Sequence, residues 1–266
     1  MLNHSSINQL PSSGAKTAQL PSVRALWQAP LANQQSRLNR LLIRGTLLCG
    51  LRLVRSITGL EHLAEARDPF IVALNHSQRL EAVLLPMLFI WQRQGKLIHF
   101  LADWNFLMTP AALFLWRGGV IPVTRKLARP RFLTGLRNYL VAAPHGFERA
   151  KELLRAGRPV GIFPEGTTNR HPTKLLAGQL GAARLSLETG APLIPVGIRF
   201  PTQDKTRPIA ACAPMEVNIG TPLTPPHSPD PAPAAAVRDW HAELMLAIAN
   251  LTDKTWSPTA ARRKIC

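Results

Sequence analysis

Apolar runs of strand length alternate with helix-like segments over most of the chain, beginning at Pro69. Runs rich in Val, Ile and Leu are typical of buried strands. They lie at residues 70–74, 97–102, 120–123, 160–163, 193–199 and 216–219. The segments between them have helical length, and two end at Gly157 and Gly190, each followed two residues later by proline, a common helix stop. The alternation predicts a single α/β domain with a mostly parallel central sheet flanked by helices.

The two ends of the chain lack this alternation. Residues 1–35 are rich in Ser, Gln, Asn and Pro, which predicts a disordered tail, or a transit peptide because no acidic residue precedes Glu61. In residues 36–60 arginines recur among leucines, which predicts a basic amphipathic helical arm that docks on an anionic membrane or packs its leucines on the domain. Residues 61–252 form the predicted main domain and residues 253–266 a C-terminal tail. No apolar stretch reaches the roughly 18 to 20 residues of a membrane-spanning helix.

The charge balance indicates an anionic partner. Lysine and arginine total 32 against 15 for aspartate and glutamate, a formal net charge of +17. Such a surplus favours nucleic acid, anionic lipid, or a phosphorylated or acidic substrate carrier. Nucleic acid is disfavoured, because only 6% of the residues are aromatic and no zinc-ligand spacing or helix-turn-helix pattern occurs. Three scattered cysteines indicate reduced thiols in a cytoplasmic compartment rather than disulfides or a metal site.

The main candidate for chemistry is His76, in the stretch 73–81 that follows the first predicted strand. Reactive groups in open α/β sheets lie beyond the carboxyl ends of the strands. A neutral imidazole accepts a proton from a hydroxyl near neutral pH, and Glu81 is the nearest carboxylate that could hold its other nitrogen. A five-residue offset on a regular helix turns about 140°, so the two side chains meet only if His76 precedes the helix. Otherwise they are a loop histidine and a solvated glutamate.

Two further stretches carry polar groups at strand ends. Residues 160–170 contain a strand that stops at proline, after which Glu165, Gly166 and Thr167 bring a carboxylate, an accessible backbone amide and a hydroxyl into one turn. The alternative is a tight turn in which the glutamate pairs with an arginine. Residues 117–126 end with Arg125, whose planar guanidinium suits a phosphate, although a surface charge pair has the same pattern.

With the apolar stretch 191–198, these motifs resemble, in this order, the glycerolipid acyltransferase family that includes the 1-acylglycerol-3-phosphate acyltransferases. That family shows Asn-His-x4-Asp, a Gly-x5-Arg segment, Phe-Pro-Glu-Gly-Thr-Arg-Ser and a Val-Pro-x-x-Pro-Val strand. The corresponding stretches here are 73–81, 117–126, 160–170 and 191–198. The resemblance spans about Pro69 to Gly220. It implies that residues 61–252 are an acyltransferase domain.

The resemblance also implies a reaction. His76 would deprotonate an acceptor hydroxyl that attacks the thioester of an acyl-CoA or acyl-carrier protein, and Glu81 would orient His76. The polar head of the acceptor would be held by Arg125, Glu165, Gly166, Thr167 and Arg170. The implied acceptor is a lysophospholipid, 1-acylglycerol-3-phosphate, in phospholipid biosynthesis, with no metal or other cofactor. The enzyme would be peripheral, on the cytoplasmic side of an anionic membrane.

Three departures from the family pattern leave alternatives open. Glu81 stands in place of the usual aspartate, Thr168 in place of the arginine after Glu-Gly-Thr, and residues 176–181 in place of Phe-Lys-x-Gly. Because two cations are missing, the acceptor is alternatively another lyso-lipid or a non-phosphorylated hydroxyl compound, unless Arg170 and Lys174 substitute. A catalytically silent protein that binds anionic lipid is the alternative outside the enzymes. A serine hydrolase is disfavoured because no Gly-x-Ser-x-Gly elbow occurs.

Overall fold

The fold is built around one β-sheet with helices packed against it. The computed structural model describes residues 17–18, 20–34, 36–103, 117–123 and 146–259. Its strands are β1 (Thr17–Ala18), β2 (Val54–Thr58), β3 (Ile71–Leu74), β4 (His99–Asp103), β5 (Ile121–Val123), β6 (Val160–Ile162), β7 (Leu193–Arg199) and β8 (Met215–Ile219). They form one sheet in the order β1-β2-β8-β7-β3-β6-β4-β5. All neighbours run parallel except β1–β2 and β7–β8. The predicted α/β fold with a mostly parallel sheet is therefore confirmed.

Helices cover both faces of this sheet. They are α1 (Val23–Gln28), α2 (Arg37–Gly50), α3 (Glu81–Gln92), α4 (Gly146–Arg155), α5 (Gly181–Thr189) and α6 (Ala234–Thr252). Strand β3 lies between the two layers and is wholly buried. Its residues Val72 and Leu74 belong to the apolar cluster that includes α2 and α3, while Ile71 and Ala73 belong to the cluster of α4, α5 and α6. Burial on both faces explains why this strand is a continuous apolar run in the sequence.

The prediction of a disordered tail is wrong for residues 20–34. Residues 20–34, expected to be disordered, contain α1, and Leu26 and Leu31 are each 1% exposed. The guanidinium of Arg44 donates to the backbone oxygens of Leu26 and Ala29, so α2 holds the end of α1. A helix of only six residues is too short to show a helical periodicity in the sequence.

The predicted arm helix over 36–60 is also shorter than expected. Helix α2 ends at Gly50, and residues 54–58 form β2, which pairs with β8 and places Val54 and Ile57 in the core. The partner strand lies about 160 residues away in the sequence, so the local pattern of hydrophobic residues cannot predict the pairing. Within the described part of the chain, no helix has the length and apolarity needed to cross a membrane.

The predicted C-terminal tail is packed where the structure describes it, over residues 253–259. The backbone of Thr255 donates to Thr173 and accepts from Leu175, and the indole of Trp256 donates to the backbone oxygen of Ala177. The segment follows α6, whose last turn lies directly against β7. A Cβ at Gly197 would be 2.6 Å from the backbone carbon and oxygen of Leu251. This close approach fixes where the chain leaves α6.

Replacing Gly197 by alanine is therefore expected to lower the free energy of unfolding by about 1–3 kcal/mol, because helix α6 must move away from the sheet. Chemical denaturation of the purified protein measures this change. Gly45→Ala is the matched control: its Cβ would meet nothing within 4 Å inside α2, and the change should stabilise by about 0.5–1 kcal/mol. Equal stability of Gly197→Ala and wild type would contradict the packing described.

Candidate active site

The histidine loop, residues 75–80, joins the carboxyl end of β3 to α3 and brings His76 and Glu81 together. Because α3 begins at Glu81, His76 precedes the helix, as the pairing requires. The ring Nδ1 lies 2.8 Å from Oε1 of Glu81, and the backbone N–H of Ser77 donates to the same oxygen. The carboxylate thus accepts from both the ring and the backbone beside it, which fixes the ring orientation.

The loop leaves the strand in a defined direction because Asn75 continues the sheet pairing through its side chain. Its Oδ1 accepts the backbone N–H of Ile198 at 2.7 Å, and its Nδ2 donates to the backbone oxygen of Ile198 at 3.2 Å. The side chain takes the place of a backbone partner for β7, so the main chain is free to turn. The imidazole of His76 then rests against Phe163, with ring centroids 4.7 Å apart.

Glu81 is completely buried. Burial raises the pKa of its carboxyl group, while hydrogen bonds from His76 and from the backbone of Gln78 and Ser77 act in the opposite direction. A carboxylate at Nδ1 keeps the proton on that nitrogen, and Nε2 is then the acceptor. This assignment of the tautomer follows from the partners of the two nitrogens. An imidazole held in this way can act as a general base, and the neighbouring carboxylate would stabilise its cationic form.

The second carboxylate, Glu165, is 3% exposed and ties the histidine loop to the segment 165–177, here called the glutamate loop. Its Oε1 accepts the backbone N–H of His76 at 3.0 Å, and its Oε2 accepts from Asn169 Nδ2 at 2.7 Å and from the backbone of Leu176 at 2.9 Å. Burial raises the pKa of Glu165, and these three N–H groups oppose that rise. The resemblance implied that Glu165 holds the acceptor head, but both its oxygens face protein N–H groups.

The start of the glutamate loop curves around the imidazole. Gly166 adopts a left-handed conformation with φ 67° and is exposed, and Thr167 is partly exposed beside it. The next residue, Thr168, places Oγ1 3.1 Å from Nε2 of His76. Asn169 then donates its backbone N–H to the carbonyl oxygen of His76 at 2.6 Å. The free ring nitrogen therefore faces a hydroxyl group.

Lys254 contacts this site from the segment that the sequence assigns to a tail. Its Nζ donates to Ser77 Oγ at 3.0 Å and to the backbone oxygen of His171 at 2.9 Å, and the residue is 5% exposed. Burial lowers the pKa of Lys254, whereas the charges of Glu165 and Glu81 raise it. The ammonium group joins the histidine loop to the glutamate loop. A large apolar side chain two residues later, Trp256, is the sequence signal that could have indicated a packed segment here.

Of the cations that the sequence offers for the acceptor, one lies outside the described residues and the other two are exposed. Arg125 lies outside the described residues. Arg170 is exposed and donates through Nε to the backbone oxygen of Ile209 at 2.6 Å, and Lys174 is exposed. In the ranges that the structure describes, no group of three or more His, Cys, Asp or Glu side chains is arranged to hold a metal ion.

Comparisons with known proteins identify the family of this chain. The family model described as Acyltransferase matches residues 54–199, more than half of the chain. The 1-acyl-sn-glycerol-3-phosphate acyltransferase of Borreliella burgdorferi is 28% identical over 151 residues, 56% of this chain and 52% of that protein. The chain thus spans about half the length of that curated relative.

A solved structure is similar over a longer range. The crystal structure of the 1-acyl-sn-glycerophosphate (LPA) acyltransferase PlsC from Thermotoga maritima has a TM-score of 0.53 at 18% sequence identity, with 83% of each chain covered. At that identity the likeness shows the fold. The family match includes both the histidine loop and the whole of the glutamate loop. The chain therefore belongs to the acyltransferase family.

Proposed function

We propose that this protein transfers a fatty acyl group from a thioester, acyl-CoA or acyl-carrier protein, to the hydroxyl of a lysophospholipid, with 1-acylglycerol-3-phosphate as the first candidate acceptor. The observation that carries the proposal is the orientation of His76, with Nδ1 on the buried Glu81 and Nε2 facing a hydroxyl. The names of the relative and of the structural neighbour support this acceptor. Phospholipid biosynthesis is the corresponding pathway.

The reaction would proceed in one displacement. Nε2 of His76 takes the proton of the acceptor hydroxyl as its oxygen attacks the thioester carbonyl, and the imidazolium is stabilised by the carboxylate of Glu81, 2.8 Å away. The C–S bond breaks and the departing thiolate receives the proton. A positioned base of this kind contributes about 10²–10⁴-fold to the rate. Glu165 and Lys254 would act as positioning residues, since their contacts are with the two loops.

A second acceptor class is favoured by one observation: a hydroxyl group of Thr168, not a guanidinium, stands beside the base. A site with fewer cations discriminates less strongly for a phosphate monoester. Another lyso-lipid or a non-phosphorylated hydroxyl compound is therefore the alternative acceptor. Acylation of a panel of lyso-lipids at equal concentration separates the two, and a clear preference for 1-acylglycerol-3-phosphate would dismiss the alternative.

The protein is further proposed to bind an anionic membrane peripherally, on the cytoplasmic side, through α1 and α2. Large apolar side chains are exposed on these helices: Val23 (62%), Trp27 (48%), Leu38 (41%) and Leu41 (55%). The guanidinium of Arg44 lies 5.4 Å from the ring centroid of Trp27, so a cation accompanies the apolar surface. Apolar side chains next to arginines suit the interface of an anionic bilayer.

For the reaction, His76→Ala is expected to reduce acyl transfer by about 10²–10⁴-fold, because the acceptor hydroxyl loses the base at Nε2. Mass spectrometry of the acylated lipid, with purified protein, acyl-CoA or acyl-carrier protein and each lyso-lipid, measures the rate. His227→Ala, at an exposed histidine between β8 and α6, is the matched control. Transfer unchanged by His76→Ala would refute the assigned base. An absence of transfer in wild type, with membrane binding intact, would favour the silent lipid-binding alternative.

For the positioning role, Lys254→Met is expected to reduce acyl transfer about 10-fold or more, because the ammonium no longer joins Ser77 to His171. The lowered pKa of Lys254 means that the unfolded chain binds its proton more tightly than the folded chain, so this residue makes the free energy of unfolding rise with pH between the lowered pKa and 10.5. Denaturation over that pH range should give a flatter profile for Lys254→Met. A profile parallel to wild type would show that the ammonium is not perturbed.

For membrane binding, the double change Val23→Ser and Leu41→Ser is expected to weaken partition onto vesicles that contain phosphatidylglycerol by about 10-fold or more, because two apolar side chains no longer enter the bilayer. Co-sedimentation at low and moderate salt measures it. Leu246→Ser, 44% exposed on α6 across the sheet, is the control and should leave binding unchanged. Equal losses in both variants would argue against a surface specific to α1 and α2.

A further inference from the structure

Three side chains at the site form a continuous row of hydrogen bonds. Thr168 Oγ1 lies 3.1 Å from Nε2 of His76, and Nδ1 of the same ring lies 2.8 Å from Oε1 of Glu81. A hydroxyl within hydrogen-bond reach of a base, with the base oriented by a third group, is the geometric signature of an activated nucleophile. Threonine hydroxyls serve as nucleophiles in proteins when such a base is adjacent. The usual Gly-x-Ser-x-Gly elbow is not needed for this arrangement, which is recognised by geometry.

The position of the threonine hydroxyl is fixed by its neighbours on both sides along the chain. Asn169 donates its backbone N–H to the carbonyl oxygen of His76, and Glu165 accepts the backbone N–H of the same residue. The glutamate loop is thus hydrogen-bonded to His76 on either side of Thr168. Thr168 itself is partly exposed, so a substrate can reach it. In the family that the motifs resemble, this position holds an arginine, which has no hydroxyl.

The same turn offers donors for a developing oxyanion. The backbone N–H of Gly166 donates to Phe163, and that of Asn169 donates to His76. Between them, the N–H groups of Thr167 and Thr168 have no acceptor among the described residues. Unused backbone donors beside a nucleophile can stabilise the negative oxygen of a tetrahedral intermediate.

We propose that Thr168 is a nucleophile, and that without an acceptor lipid the site hydrolyses fatty acyl thioesters through an acyl ester on Thr168. This activity rests on the proposed function in one respect, because it uses the same thioester donor and the same base. In the resting site the Thr168 hydroxyl occupies the position at Nε2 that an acceptor hydroxyl would take. Without a bound acceptor, the Thr168 hydroxyl would therefore be the group that attacks the thioester.

The reaction has two balanced steps. In the first, the proton of Thr168 Oγ1 moves to Nε2 of His76 as the oxygen attacks the thioester carbonyl, the C–S bond breaks, and the thiolate leaves with that proton. In the second, water gives a proton to Nε2 while its oxygen attacks the ester carbonyl, the bond from the acyl carbon to Oγ1 breaks, and Oγ1 takes the proton back. The products are a free fatty acid and a free thiol, and the site is restored.

The test uses the full chain with palmitoyl-CoA and no lipid acceptor. Released palmitate is measured by mass spectrometry for wild type, Thr168→Val and Thr168→Ser. Valine keeps the shape without the hydroxyl and should reduce release by about 100-fold or more, whereas serine keeps the hydroxyl and should stay within about 10-fold of wild type. Palmitate release by Thr168→Val at the wild-type rate would overturn the proposal.

A second measurement does not depend on the folding of a variant. Wild-type protein is quenched in acid during turnover, and its mass is searched for a palmitoyl adduct. An ester on Thr168 survives neutral hydroxylamine, which removes thioesters from cysteines such as Cys49 and Cys212, and peptide mapping locates it. An adduct confined to cysteine would count against the proposal.

The two proposals fail separately. Palmitate release that needs the Thr168 hydroxyl, with no acylation of any lyso-lipid, would reject the proposed function and keep this inference. Acylation of a lyso-lipid, together with palmitate release that is indifferent to the Thr168 hydroxyl, would do the reverse.

Discussion

The site depends on two carboxylates that are buried beneath one loop. Glu81 and Glu165 are 0% and 3% exposed, and each accepts N–H groups of the histidine loop, at Ser77 and His76 respectively. A buried carboxylate without such donors costs far more than one that accepts hydrogen bonds from them. The cost of burial therefore enforces the loop conformation, because moving the loop would leave charges unpaired. The orientation of the imidazole is a consequence of that constraint.

The two carboxylates contact different parts of His76. Only Glu81 touches the ring, whereas Glu165 touches the backbone on which the ring is mounted. Their contacts converge on His76 from the start of α3 and from the glutamate loop, and Lys254 adds a cation that both carboxylates attract. The site is thus a small network in which two carboxylates and one ammonium group lie around His76. Such networks are worth more than separate pairs, because each member loses partners when another is removed.

Local sequence predicted the fold class well because the buried strands β3, β6 and β7 are apolar on both faces. The pairing of His76 with Glu81 was also foreseeable, since it required only that the helix start after the histidine. Long-range contacts were not accessible in the same way. Strand β2 is defined by its pairing with β8, and Lys254 by a hydrogen bond to a residue 177 positions earlier. The contacts of Glu165 depend on the fold of residues 169–176, which local sequence does not show.

Lys254 follows both loops in the sequence, and this determines when during synthesis the site can form. Chains emerge from the ribosome amino end first, and folding proceeds as segments become available. Helices α1 and α2 therefore emerge long before the ammonium group that joins the two loops. An incomplete chain already carries its apolar surface, its histidine and both carboxylates, yet lacks the residue that ties the loops together. Completion of the site therefore requires synthesis at least as far as Lys254.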